Sequence, residues 1–404
     1  MSFLQKIISK RSFLIFIIFV SLFVTYSISV SVCYGKTIGK SRSVTRYIEA
    51  AKQSINNKQY DNAIEFCDKV LEINPDNVEA YNQRANAKYM QGKYEEAIAD
   101  YTKAIELNPD RENLYYNRGI ANSYLKAYDE VMEDYTKVLQ INSENTNAYL
   151  NRGTTEVILR RYDDAINDFS KLIELDSKSE SGYYNRGIAK RNKGDYKGAI
   201  EDYNVAIELN PENKEAYNNR GVAKFYLRDY SGAVEDYTKV IEFGVKSSKT
   251  YYNRGIANFA LKNYEKAIED FTSAIELSEN DDLAYFNRGV AQEILNNNTS
   301  AIEDYSKAIE LNPKNDEYYY YRGNLLNKMG KDMKKALDDL TLSINLDNSD
   351  AKKYFTRAVV YSKLKEYSLS VKDLDKYLKR YPDDSKAIEL RSNTLKFVQS
   401  NQKD

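Results

Sequence analysis

The chain has 404 residues, with 59 Lys and Arg against 60 Asp and Glu, and so a net charge of −1 at pH 7. It contains 37 tyrosines but neither tryptophan nor histidine. Near-neutral charge excludes the positive field that holds nucleic acid, and the missing histidine excludes Ser–His–Asp and Cys–His catalysis and histidine-based metal sites.

The first element, residues 1–35, places Lys6, Lys10 and Arg11 ahead of Ser12–Val32, a run of 21 residues without a charge. That length spans a bilayer as a helix. Its strongest part, Leu14–Val24, is short and gives way to smaller, more polar residues, as in a secretory signal. Three expectations stay open: a cleaved signal peptide, a retained membrane anchor, or lipidation at Cys33, for which Val32 is a poor preceding residue. Each sends the rest of the chain across a membrane, to the periplasm, cell envelope or exterior, with an uncleaved segment starting on the cytoplasmic side. Residues 36–43 form a linker. GKTIGKS at 35–41 has three residues between its glycines where a phosphate loop needs four.

From residue 44 to 382 the chain keeps a clock. Arg84, Arg118, Arg152, Arg186, Arg220, Arg254, Arg288 and Arg322 follow at intervals of 34, and Arg357 comes one residue late because 326–337 carries one extra. With arginine at position 7 of each unit, ten units emerge. Position 4 is tyrosine in all ten, position 8 is Gly or Ala in all ten, and all five prolines fall at position 32, where proline ends a helix. Positions 4, 7, 8 and 11 share one face of a helix A, and 20, 21, 24, 27 and 28 form the apolar stripe of a helix B. Small residues at 8 and 20 let the two helices approach. One such hairpin cannot bury both faces, so the units must stack into an all-α solenoid. Residues 383–404 read as a closing amphipathic helix and tail. Cys67 sits at a core position and is expected as a small buried hydrophobe.

Stretch 183–211, YYNRGIAKRNKGDYKGAIEDYNVAIELNP, has an aromatic at 4, Gly at 8 and 15, Tyr at 17, Ala at 20 and 27, an aromatic at 24 and Pro at 32. In these residues the chain resembles the tetratricopeptide repeats over roughly 45–382. The resemblance implies a right-handed α-solenoid that binds other proteins along a concave groove. Departures are the arginine at 7, where the family usually has leucine, and weak ninth and tenth units with Leu340, Leu374 and Ser370 at consensus positions.

Position 23 accounts for the arginine. It is aspartate in units two to ten, and unit one lacks both residues, having Ala50 and Phe66. Pairing within a unit satisfies every member: Arg118–Asp134, Arg152–Asp168, Arg186–Asp202, Arg220–Asp236 and Arg254–Asp270 are expected structural pairs from helix A to helix B. A guanidinium spent on a partly desolvated carboxylate is a poor ligand contact.

The other side of helix A carries positions 2, 5, 6, 9, 12 and 13, which in the family line the groove. Position 6 is asparagine in six consecutive units, Asn117, Asn151, Asn185, Asn219, Asn253 and Asn287. Position 5 is mostly aromatic, with Tyr116, Tyr184, Tyr252, Phe286 and Tyr320. A carboxamide offers donors and an acceptor to extended peptide backbone, and the row resembles asparagine ladders of the family. Packing against the next unit is the alternative role for these side chains. The clamp for chaperone tails found in some members needs lysine at position 5, which no unit has. The expectation is a non-enzymatic scaffold of the cell envelope, without cofactor or metal, that binds a partner protein or extended peptide. The alternative is a repeat protein that guides a glycan during assembly or secretion.

Overall fold

The computed structural model describes residues 41–400, and all of their regular structure is helical. The expected signal or anchor segment, and the linker up to residue 40, lie outside the described residues. Among the described residues no helix is long and apolar enough to cross a membrane. The chain parts into two units between Ala189 and Lys190.

In the first unit, α1 covers residues 41–56. It is followed by α2 (Tyr60–Ile73), α3 (Val78–Met90), α4 (Tyr94–Leu107), α5 (Glu112–Tyr124), α6 (Tyr128–Ile141), α7 (Thr146–Ile158), α8 (Tyr162–Leu175) and the start of α9 (Glu180–Lys193). The second unit holds the end of α9, then α10 (Tyr196–Leu209), α11 (Lys214–Tyr226), α12 (Tyr230–Glu242), α13 (Ser248–Ala260), α14 (Tyr264–Leu277), α15 (Asp282–Ile294) and α16 (Asn298–Leu311). It closes with α17 (Asp316–Met329), α18 (Met333–Leu346), α19 (Ala351–Lys363), α20 (Tyr367–Arg380) and α21 (Ser385–Ser400). Odd helices are the A members of the repeats and even helices the B members. Within each unit an A helix packs on its own B helix, and that B helix packs on the following A helix.

Local chemistry sets the ends. Position 34, just before helix A, carries a polar cap: Asn77, Asn145, Asn213 and Asp281 each accept a hydrogen bond from a backbone N–H three residues on. Such a cap contributes about 1 kcal/mol. Between A and B the chain reverses through a left-handed residue at position 15. Gly92, Gly194 and Gly330 hold it in three repeats, but Lys58, Lys126, Arg160, Arg228, Lys262, Asn296 and Lys365 hold it elsewhere with φ of 58–65°. Those seven side chains accept the cost of that conformation, about 1–2 kcal/mol each, because the A–B packing closes the turn.

The core is a row of rings. At position 24, Tyr101, Phe169, Tyr203, Phe271 and Tyr305 are almost fully buried on the B helices. The small residue at 8 does more than let two helices approach. It is the floor on which that ring lies: a Cβ added at Gly153 would meet Phe169 ring carbons at 2.8 Å, and one at Gly255 would meet Phe271 at 2.8 Å. Cys67 occupies the ring position in the first repeat, fully buried, and burial pushes its thiol up to about 12.

Beyond α20, α21 continues the register as a further A helix. Arg391 falls 34 residues after Arg357, at position 7, and its Nε lies 2.5 Å from Asp375 of α20. Ala387 and Thr394 are buried against the stack, while Ile388, Glu389, Asn393 and Lys396 face outwards.

Candidate interaction surface

Helix A presents two functional faces, and the arginine at position 7 belongs to the inner-packed one. Arg118 Nε and Nη2 donate to Asp134, the shortest contact being 2.7 Å. Arg152 forks onto both oxygens of Asp168 at 2.7 Å, Arg220 onto Asp236 at 3.0 and 2.6 Å, and Arg254 onto Asp270 with a shortest contact of 2.6 Å. Arg84–Asp100, Arg288–Asp304, Arg322–Asp339 and Arg357–Asp373 repeat the geometry. Arg186 and Asp202 fall on either side of the boundary between the units: Arg186 Nη1 donates to Ser170, and Asp202 pairs with Lys190 at 2.8 Å. The aspartates are buried while the arginines keep about a fifth of their side-chain surface in solvent. Burial pushes the Asp134 and Asp304 carboxyls above the ordinary range, with the neighbouring guanidinium pulling the other way.

The fork has a third arm that the sequence reading did not use. Nη1 reaches back 16 residues to position 25 of the preceding repeat, to Thr102 from Arg118, Thr136 from Arg152, Asn204 from Arg220 and Thr238 from Arg254. Each arginine therefore joins its own A and B helices and the B helix before them. The signal was present: position 25 is Asp, Thr, Ser or Asn from Asp68 to Thr341, a row of small acceptors with no other reason to be uniform. The guanidinium also lies over the tyrosine at position 4 of its own helix, 5.7 Å from the Tyr115 centroid and 5.6 Å from that of Tyr251.

On the opposite face the asparagine row is drawn largely into the stack. Asn151 donates to the hydroxyls of Tyr116 and Tyr135, both at 3.2 Å. Asn117 donates to Asn86 at 3.4 Å, and Asn287 to Tyr252 at 3.1 Å. Asn185 bonds the Ser181 carbonyl of its own helix, and Asn219 accepts from Arg191 at 2.7 Å. Asn253 and Tyr184 are half-buried. The aromatics at position 5 are likewise engaged: Tyr116 packs on Tyr135 and Tyr252 on Phe271. Phe286 sits among Tyr305, Tyr318 and Tyr321, and Tyr320 lies edge-on to Tyr321. Asn117, Asn151, Asn219 and Asn287 thereby link one repeat to the preceding one, and a carboxamide so bonded has fewer groups left for peptide.

What remains open lies one turn further along. In the first unit a cleft of about 250 Å³ is lined by Ile55, Asn86, Tyr89, Met90, Tyr101, Asn117 and Ile120. A second, of about 470 Å³, shares Ile120 and adds Ser123, Tyr124, Tyr135, Asn151, Thr154 and Ile158 among its walls. Both use positions 9, 12, 13 and 24 of one repeat and 6 and 9 of the next, so the same cleft is made twice by the same code. No wall of either is charged. Position 13 supplies the rim: Met90 is 53% exposed, Tyr124 57% and Ile158 53%. Tyr124 is held flat by Tyr94 of the preceding repeat, ring centroids 4.7 Å apart. The second unit places Tyr226 and Ile294 at the same position, with Tyr226 stacked on Tyr196 at 4.8 Å. A rigid, exposed aromatic and aliphatic row next to apolar clefts is the character of a surface that docks a partner.

Among the described residues no group of His, Cys, Asp and Glu could hold a metal ion. Family models for the tetratricopeptide repeat match residues 78–111 and 248–281, and, in a second form, 47–77, 146–179 and 214–243. A third, described as TPR repeat, matches 189–227 and 294–330. Together they cover more than half of the chain. Matches starting at 78, 146, 214 and 248 share the register set by the arginines. No curated protein matches the chain. Among solved structures, the C-terminal part of a TPR repeat-containing protein from Cytophaga hutchinsonii is 20% identical, with 59% of this chain and 97% of that one covered at a TM-score of 0.52. A tetratricopeptide repeat protein from Parabacteroides merdae is 23% identical over 62% of this chain and 99% of its own, with a TM-score of 0.47. YrrB, described as a TPR protein with an unusual peptide-binding site, is 25% identical over 44% and 91%, with a TM-score of 0.40.

Proposed function

The chain belongs to the tetratricopeptide-repeat family, and on that premise we propose that it is a non-enzymatic scaffold of the cell envelope that captures a segment of a partner protein along the A-helix clefts. A solenoid of this family is a platform for protein–protein interaction. The observation that carries the finer reading is the duplicated cleft of the first unit, uncharged and rimmed by Met90, Tyr124 and Ile158. An uncharged wall selects for a partner segment that brings aliphatic or aromatic side chains, since a charge placed there would lose its hydration without a counter-ion. Envelope location rests on the charge-flanked apolar run of residues 12–32. The absence of histidine, and the internal pairing of the arginines, favour docking over catalysis.

The test separates the rim from the fold. Tyr124→Ser combined with Ile158→Ser changes two side chains that are more than half exposed. The cost in stability should stay at about 0.5 kcal/mol for Ile158 and about 1 kcal/mol for Tyr124, where the stack on Tyr94 is lost. Binding to peptides selected from a random display library should fall at least tenfold, the scale of one lost anchor residue at an interface. Asn185→Ala with Asn219→Ala, on the embedded row, should leave that binding within twofold. If the rim pair binds like the natural chain while the asparagine pair does not, the clefts are not the site.

A further inference from the structure

In five repeats the residue at position 11 of helix A donates to the aspartate at position 23. Lys88 meets Asp100 at 2.8 Å, Asn122 meets Asp134 at 3.1 Å, and Lys190 meets Asp202 at 2.8 Å. Lys224 meets Asp236 at 2.9 Å and Asn258 meets Asp270 at 2.9 Å. Repeat 4 breaks the row with a second acid. Glu156 of α7 is only 5% exposed, and its Oε2 has no hydrogen-bond partner. Both oxygens of Asp168 are already taken by Arg152. An ionised Glu156 would therefore be a second desolvated negative charge beside Asp168, with Arg152 already committed to Asp168 and Arg161 the other guanidinium facing it.

The charged groups around it are few. Asp168 and Asp164 face it from α8, Arg152 from its own helix, and Arg161 from the turn between them. From α6 the residues bonded to α7 are Tyr135 and Thr136, both uncharged at neutral pH. The first-unit part of α9 brings Ala189 to the core and Arg186, whose Nη1 is held by Ser170 of α8.

We infer that repeat 4 is a proton-gated joint: α7 is seated more firmly on α8 while Glu156 keeps its proton than after it is lost. Burial first, and the Asp168 charge second, push this carboxyl from 4.5 up to about 8. The seated state thus holds a proton that the released state gives up throughout that window. Seating weakens as pH rises from about 5 to about 8 and levels off above, because the two states then carry the same charge. Helix α7 also brings Asn151, Thr154 and Ile158 to the second cleft, so the joint sits under that wall. The inference stands on repeat 4 alone and does not depend on what the cleft binds.

Hydrogen exchange on the full chain tests it, with intrinsic exchange rates divided out at each pH. The opening constant of the α7 and α8 amides should rise by up to roughly tenfold per pH unit between about 5 and 8. Glu156→Gln should abolish most of that rise and open less than the natural chain at pH 8. Glu156→Asn, which copies Asn122, should do the same. Helices α11 and α12, where Lys224 occupies the equivalent place, report in the same sample that the fold is intact and should lack the rise. An unchanged slope in both variants, or a natural chain whose α7 and α8 are flat across the window, overturns the joint.

Discussion

Replacing Arg254 with alanine should destabilise the α13–α14 pair by about 3–5 kcal/mol, the cost of leaving a buried carboxylate without its counter-ion. Asp270 keeps 4% of its side-chain surface in solvent, and its acceptor sites are filled by Arg254 and by Asn258. Once the guanidinium is gone, one amide donor is all that faces the carboxylate. Arg220→Ala removes the same fork but should cost roughly half as much. There Lys224 Nζ stays 2.9 Å from Asp236 and keeps the site neutral. Opening of α13 and α14 by hydrogen exchange is the proper measurement, because a long repeat array does not unfold as a single two-state unit. Arg254→Ala and Asp270→Ala combined should show a coupling of at least 1 kcal/mol. Additive single mutants, or equal costs for Arg254 and Arg220, would refute the brace as the source of the stability.

That ordering could not have been read from the arginine and aspartate alone, and it marks where sequence legibility ended. The phase of 34 was legible because arginine is rare on a packed face, so its recurrence stood out against the variable surface. Pairing was legible from a joint absence, Ala50 with Phe66. The third arm to position 25 was missed because a threonine on a helix surface carries no demand of its own; only the full donor inventory of the guanidinium creates one. Arg391 extends the same clock by one beat but lies beyond the last proline, inside the stretch expected only as a closing amphipathic helix. The groove was legible as a face and not as a site. Six asparagines drew attention by identity, whereas exposure singles out position 13, where Met90, Tyr124, Ile158, Tyr226 and Ile294 share no single letter. Identity is kept where geometry is shared between repeats, and a surface that meets an outside partner has no such reason to repeat itself.

Phe169→Ala should rival the arginine in cost, at about 3–5 kcal/mol. Its ring is fully buried on α8, over Gly153 of its own repeat and beside Ala165 and Ala189. Gly153, Ala165 and Ala189 have no side chain long enough to swing in, and Leu150, Val157 and Ile166 at the margin of the cluster can close only part of the space. Phe169→Leu should cost less than half as much, since Leu340 and Leu374 fill the same position in the ninth and tenth repeats, fully buried. The floor predicts a coupling of its own. Gly153→Ala places a methyl 2.8 Å from the ring, an overlap worth about 1–3 kcal/mol, against about 1 kcal/mol regained in helix propensity. Repeat 2 already lives with Ala85 beneath Tyr101, both buried, so the ring can shift by the few tenths of an ångström required. Joining Gly153→Ala to Phe169→Leu should then cost less than the two changes summed, by about 0.5–1 kcal/mol in α7–α8 opening. A sum that is strictly additive would mean the ring does not rest on the glycine, and the stack would need another account of why position 8 carries no more than a methyl in the ten repeats.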